Sequence, residues 1–532
     1  MRRRVLTTVA ALSAAAVSVA ACSSGGSSST PSSGSAASSS ASGSASASAS
    51  GQIVSGQSAT FLVAADPGSL DPDLTTLGVT LQTDMFAYDS LIGFTPTNVP
   101  EANLATKWSG TTTTASFTLR KDVTCADGSP LTASTVAANI NYIGDVKNAS
   151  PRVGVWMPAD TTATADNATG VVSVKSPTPD PFLTTDVGST QIVCDKGMKD
   201  RGSLKEGTDG TGPYTLSAAV PGSSYTFTLR KDYTWGPGGV TSTTPGLPAV
   251  VIIKVAANMT TAANELLAGQ ANISEIIGSD ASRLSGLYSH SLSLPMGELW
   301  FNEKAGSPVA SLAVRKALTQ AVQLSQLGQV LSAGTGKPSE GIMIPGQSPC
   351  VNDTVAQNTP TYDASAAKSA LSGKKLSVAL WYPSSIGAGA TAAATLLQET
   401  WSQLGVSVSL HAATDAELGT KILGGTAAWD VAILPISLTS PSELPPYVSG
   451  AAPPKGGNFA SLSNAAYTAE VAKASAIVGA AGCPDWNAAE DALIKNADVI
   501  PFVNSPLGFY AKGMTFQFTE GAVAPTSFRM LG

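Results

Sequence analysis

Two rhythms of apolar residues run along this chain. The first is short and alternating. ATFLVAA (59–65), ASFTLR (115–120), VVSVK (171–175), SYTFTLR (224–230) and AVVIIKVA (249–256) are rich in β-branched and aromatic residues, and predict strands. The second has helical spacing. LTASTVAANINYIGDV (131–146) predicts a helix capped by Thr132 or Ser134. PVASLAVRKALTQAVQLSQLGQVL (308–331) predicts a single helix. Pro308 suits its first turn, and Leu312, Ala313, Val314, Ala317, Leu318, Ala321 and Val322 recur near helical spacing.

Beyond residue 375 the two rhythms alternate. LSVALWY (376–382) reads as a strand, ATAAATLLQETWSQL (390–404) as a helix stopped by Gly405, and VSVSL (406–410) and WDVAILPI (429–436) as strands. This predicts βαβ units and a largely parallel sheet, with ligands at the carboxyl ends of its strands. SNAAYTAEVAKASAIVG (463–479) and DWNAAEDALIKNA (485–497) follow as helices, and VIPFVNSPLGFYAK (499–512) returns to strand. FTLRKD occurs at 117–122 and again at 227–232. The flanks do not match, so two amphipathic strands ending in charged turns explain the echo as well as a duplication does.

The N-terminus follows neither rhythm. MRRR precedes an apolar or small-residue run from Val5 to Ala21, the layout of a secretory signal peptide over residues 1–21. Val19-Ala20-Ala21-Cys22 resembles a bacterial lipobox, whose cysteine carries a diacylglyceryl group and becomes the mature N-terminus. The alternative is an ordinary signal peptide cut after one of the alanines, with Cys22 incidental. Residues 22–57 are nearly all Ser, Gly and Ala, and no apolar side chain larger than Ala appears, Pro31 aside, until Ile53. Such a segment buries too little surface to offset the entropy of ordering. It is expected to be a flexible tether with an r.m.s. reach of about 30–35 Å.

Composition narrows the classes further. A chain of 532 residues, 43% hydrophobic and 13% charged, exceeds a single core and predicts two or more lobes. A net charge of −7 with no basic run after residue 4 argues against a nucleic-acid partner. No later apolar run is long enough to span a bilayer. The expectation is an exported, monomeric body, lipid-anchored to the outer face of the cytoplasmic membrane. With Cys22 lipidated, Cys125, Cys194, Cys350 and Cys483 remain, an even number that favours two disulfides with three pairings open. Four buried thiols are the alternative.

Candidate chemistry is sparse. His290 and His411 are the only histidines, and there is no CxxC, so no metal site is expected. HExxH, GxGxxG and EF-hand patterns are absent, the body has no GxSxG, and no cofactor is expected. GTGKPS (334–339) fails as a phosphate loop, because Leu331 stands where the first glycine belongs and Pro338 follows the lysine. An enzyme is therefore not expected. An exported hydrolase built on spatially paired carboxylates is the alternative from another class.

Several stretches together resemble the extracytoplasmic solute-binding proteins of ABC importers, of the large peptide/nickel type (family 5). SLDPDLTT (69–76) and FAYDSLIGF (86–94) resemble that family's opening, and PEANLATKWS (100–109) its next segment. FTLRKDVTCADGSPLTASTVAANI (117–140), GTGPYTL (210–216) and LWFNEKAGSPVASLAVRKALTQAV (299–322) are similar to further motifs, in the same order. WDVAILPI (429–436) and DVIPFVNSPLGFY (498–510) occupy the places of its later strands. The resemblance implies an α/β, two-lobe periplasmic-binding-protein-like fold (type II, large cluster C-like) with a hinge of crossing strands. Lobe I would hold residues 58–298, with an inserted subdomain at about 99–205. Lobe II would hold 299–490, and 491–532 would return to lobe I. Disulfides Cys125–Cys194 and Cys350–Cys483 are preferred, because each closes a loop inside one lobe. The implied function is to capture a solute and deliver it to the transmembrane subunits of an ABC permease.

The ligand-binding residues expected from this resemblance are Trp300 and Asn302 at the crossover into lobe II, Trp381 and Tyr382 at a strand end, and Ser437 and Thr439. The last of these falls where the family's peptide binders place an aspartate that anchors the peptide's α-amino group. Its replacement departs from the pattern and widens the ligand from an oligopeptide to other small polar solutes, with a saccharide as the alternative. Glu443 is a neighbouring carboxylate able to substitute after a loop shift. Trp401 and Trp429 are assigned to the core.

Overall fold

The structure, a computed structural model, describes residues 51–532 apart from Val155. The signal peptide, Cys22 and most of the tether lie outside the described residues.

Two long strands organise the body. Tyr288–Phe301 and Val499–Ala511 pair antiparallel from Tyr288 opposite Ala511 to Trp300 opposite Val499. They sit at the middle of a ten-stranded sheet. On one side Val499–Ala511 is followed by Ile273–Ile276, Ser58–Val63, Val250–Val255, Ser224–Leu229 and Tyr214–Val220. On the other, Tyr288–Phe301 is followed by Val431–Ile433, Leu376–Pro383 and Val406–Ala413. The sheet is mixed rather than largely parallel. Leu376–Pro383 runs parallel to both neighbours, as does Ser58–Val63, but the crossing pair makes the centre antiparallel. At its bulge Gly297 is required: a Cβ there would lie 2.4 Å from the ring of Phe502.

Residues 302–498, between the two long strands, form the second half of the body. One sheet face packs Leu299, Phe301, Val378 and Leu380 against helix Ala388–Ser402 and its Trp401. The other packs Trp300, Trp381, Trp429 and Phe459. The expected helix over 308–331 is two helices, Leu312–Gln320 and Leu324–Leu331. Arg315 holds the first through buried ion pairs to Glu303 (2.9 Å) and Asp498 (3.0 Å). The second lies against the return strand, where Gly328 leaves only 3.0 Å between a would-be Cβ and Val503. A straight helix cannot serve both contacts.

In the first half, helix Ala133–Gly144 begins as expected, with Thr132 Oγ1 accepting the Thr135 N–H at 3.1 Å. It covers a four-stranded sheet made of Ala105–Gly110, Thr114–Leu119, Val171–Lys175 and Thr162–Asp166. The two FTLRKD copies lie in different sheets, yet both arginines reach Trp235. Arg120 donates to its carbonyl (3.4 Å), and Arg230 lies 5.3 Å from its ring centre. Disulfides Cys125–Cys194 and Cys350–Cys483 join residues 69 and 133 positions apart, the pairing expected. Loops of that length are worth about 4–5 kcal/mol each in the chain-entropy account. Among the described residues no helix is long and apolar enough to cross a membrane.

Candidate ligand-binding cleft

Two contacts between the halves lie away from the hinge. Phe182 of the first half packs with Cys350, Ala474 and Trp486 of the second, and the Gly479 N–H donates to the Pro181 carbonyl at 2.9 Å. At the second place, Asn98 donates to the Gly346 carbonyl and accepts the Glu520 N–H (3.3 Å). Glu520 and Gly521 form the tip of the hairpin between Phe518–Thr519 and Ala522–Val523. Both have positive φ (51° and 76°), and a Cβ on Gly521 would lie 3.0 Å from Gln347 of the second half. A glutamate in that conformation is a local strain that the surrounding contacts hold in place.

Four carboxyl groups converge between these contacts. Asp180 and Asp186 act on each other, Glu443 of the second half acts on Asp186 and is itself acted on by Asp180, and Glu520 acts on Asp186. Desolvation, then Asp180, Glu443 and Glu520, push Asp186 well above the usual carboxyl range. Desolvation also raises Asp180 and Glu443, the latter opposed by hydrogen bonds from Thr439. Glu520 accepts the Ser189 hydroxyl at 2.6 Å. It keeps solvent contact, yet surrounding protein raises its carboxyl to about 7.

A charged layer lies behind Glu520. Arg152 faces Asp73, Asp84, Asp71 and Glu520. Arg201 bridges Asp71 and Asp73, the two aspartates of SLDPDLTT. Both carboxyl oxygens of Asp84 and the Nε of Arg152 are buried without a partner.

Comparison with known proteins now decides the class. Residues 99–485 match the bacterial extracellular solute-binding proteins, family 5 middle region. The chain belongs to that family. Among curated proteins no sequence matches. Among solved structures, a substrate binding protein from Microbacterium hydrocarbonoxydans, complexed with 4-hydroxybenzoate hydrazide, is 25% identical with a TM-score of 0.67, covering 89% of this chain and 100% of that one. The ABC transporter substrate binding protein CtaP from Listeria monocytogenes is 19% identical with a TM-score of 0.75, covering 89% and 99%. A dipeptide binding protein from Pseudoalteromonas, in complex with Met-Leu, is 20% identical with a TM-score of 0.68, covering 89% and 100%. The halves of the sheet are thus the two lobes of the family's fold, and the crossing strands lie between them.

Within that frame the expected ligand residues separate. Ser437 is exposed, and Thr439 is half-buried. Thr439 donates its hydroxyl to Glu443 at 2.7 Å and its N–H at 3.1 Å, which brings Thr439 to the carboxyl cluster. Trp300 is fully buried, its indole N–H donating to Leu434 (2.9 Å) and Glu298 (3.1 Å). Asn302 is buried too, tied to the Trp429 carbonyl at 2.8 Å. Trp381 and Tyr382 fall on opposite faces of their strand, as strand alternation demands. Trp381 stacks on His411 at 5.0 Å and leaves its indole N–H unpartnered, while Tyr382 joins the helix-side core. Trp401 and Trp429 are core, as expected.

Sequence reasoning missed Asp180, Asp186 and Glu520, because nothing local marks residues that only the fold gathers. It also missed Glu298. This buried carboxyl accepts the Ile436 N–H at 3.2 Å and so holds the strand exit that leads to Ser437 and Thr439. Burial raises it to about 8.

Proposed function

We propose that the protein captures an oligopeptide or another small polar solute between its lobes and presents it to the transmembrane subunits of an ABC permease. The observation that carries this reading is that polar groups of the two lobes face one another away from the hinge, with Glu443, held by Thr439, on one side and Asp186 on the other. The family's members are extracellular solute binders, and solved relatives hold a dipeptide and a hydrazide. Ser437 and Thr439 are proposed ligand contacts, with Trp381, whose buried indole N–H has no partner, at the strand end. Lobe boundaries near residues 298 and 490, a lipid anchor on Cys22 and a monomeric state complete the proposal. The lipid would keep a freely opening body beside its permease.

The test is a thermal-shift screen of the body against di- to pentapeptides with free and acetylated N-termini, and against oligosaccharides. A solute at 100 times its Kd adds about 2.7 kcal/mol, which is a shift of a few degrees. Small-angle scattering with each hit is expected to show a smaller radius of gyration. Stabilisation by sugars alone would move the ligand to the saccharide class. No stabilisation by any member of either panel would overturn the reading.

A further inference from the structure

We propose that the segment Asp180–Asp186, which runs into the helix Leu183–Gly188, is a proton-sensitive latch that holds the lobes together, so that closing takes up a proton and rising pH favours opening. The inference rests on the reading that the lobes move around a solute.

Geometry puts the latch at the lobe boundary. Phe182 is seated on Ala474, Trp486 and the Cys350–Cys483 disulfide, and the neighbouring Pro181 carbonyl accepts the Gly479 N–H. Apart from the clusters built on the crossing strands, this is the buried apolar cluster among the described residues that joins the first half to residues 302–498. On either side of Phe182 stand the paired carboxyls of Asp180 and Asp186. Asp180 Oδ1 also accepts the Phe182 N–H at 2.9 Å, which couples the seated ring to the carboxyl pair.

The charged groups that act most strongly on Asp186 are acidic: Asp180 from its own segment, Glu443 from the opposite lobe and Glu520 from the hairpin tip. Arg152 acts on Glu520 but is shared with Asp71, Asp73 and Asp84. Like charges gathered at a desolvated boundary disfavour ionisation, so closure favours the protonated carboxyls. When the lobes part, Glu443 leaves the pair, water enters, and the carboxyls ionise normally. Closure and protonation are then linked equilibria. The shifts have the matching direction: burial raises all three carboxyls, and repulsion from neighbouring carboxyls adds to it at Asp186 and Glu443.

The experiment measures the radius of gyration of the ligand-free mature chain from pH 5 to pH 8.5. It compares wild type with Asp186→Asn, Glu443→Gln and Phe182→Ala. Wild type is expected to expand as pH rises. Asp186→Asn and Glu443→Gln, which remove a charge at nearly constant shape, are expected to stay compact, or to expand at least about one pH unit higher, a tenfold change in the linked proton equilibrium. Phe182→Ala is expected to be expanded throughout. A wild-type radius independent of pH, or the same pH curve in both carboxyl variants, would sink the latch. Two carboxyl variants guard against one failing to fold. If a panel solute compacts the protein while these curves coincide, solute capture stands and the latch falls. If the curves separate but no solute compacts the protein, the latch stands without the capture reading.

Discussion

Thr439 gives both its hydroxyl and its backbone N–H to the carboxylate of Glu443, at 2.7 and 3.1 Å. Thr439, which stands at the position expected to hold an anchoring aspartate, thus orients a glutamate four residues further on. A hydroxyl and an N–H fix its orientation, which a loop carboxylate lacks by itself.

Thr439→Val keeps the side-chain shape and deletes the hydroxyl. A hydrogen bond to a charged group is worth about 1.5–3 kcal/mol. Affinity for a solute found in the screen is expected to fall roughly tenfold by titration calorimetry. An unchanged Kd would remove this loop from the ligand site.

Glu298 governs a pH dependence of stability. Its carboxyl is raised from 4.5 to about 8 by burial, so the folded protein binds this proton more tightly than the unfolded chain. Its contribution is fully favourable below the unfolded value and is lost as pH rises towards 8. Glu298→Gln keeps an acceptor for Trp300 and Ile436 and removes the titration. Urea melts are expected to show the variant gaining on wild type between pH 5 and pH 8.5, by an amount on the order of 2 kcal/mol. Parallel stability curves would contradict this.

Arg201 holds Asp71 and Asp73, whose side chains are almost wholly buried. Desolvation raises the carboxyl of Asp73 to about 6 even with the arginine beside it. Arg201→Met strands both aspartates. The expected loss is about 3–5 kcal/mol at pH 7, as for other broken buried pairs. It should shrink at pH 4–5, where Asp73 takes up a proton. A loss below about 1 kcal/mol at pH 7 would mean that water already reaches the pair.

Replacing Cys350 and Cys483 together by serine frees a loop spanning 133 positions and is expected to cost about 4–5 kcal/mol. It also alters the seat of Phe182. The ligand-free radius of gyration at pH 5 should therefore increase as well as the urea midpoint falling. Replacing Cys125 and Cys194 should lower the midpoint alone, because that bond lies away from the lobe contact. Equal radii for the two double variants would refute this distinction.

Local pattern alone determined much of this fold. Strands such as Val250–Val255 and Leu376–Pro383, the helix capped by Thr132, and the alternation beyond residue 375 were legible because side-chain period and capping act within a few residues. Ordered motifs from Ser69 to Tyr510 carried the family and the two-lobe fold. The strand Tyr288–Phe301 was not read, since its Ser, Pro and Gly positions hide its long pairing with the return strand. The break in the helix after Gln320 was hidden too, because the helical spacing persists across it and only Arg315 and Val503 force the turn.

The site shows the sharper division. Thr439 and Ser437 were legible because they follow a recognisable strand at a fixed interval. Trp300 was a reasonable candidate by residue type, but burial depends on what covers the opposite face, and Phe459 covers it. Glu520 lies 331 positions from Ser189, and Glu443 meets Asp180 across the two lobes. Their chemistry arises from desolvation and mutual repulsion, which depend on distance in space. Sequence therefore fixed the elements and the family, while tertiary packing alone chose which carboxyls meet and which aromatics are withdrawn from the cleft.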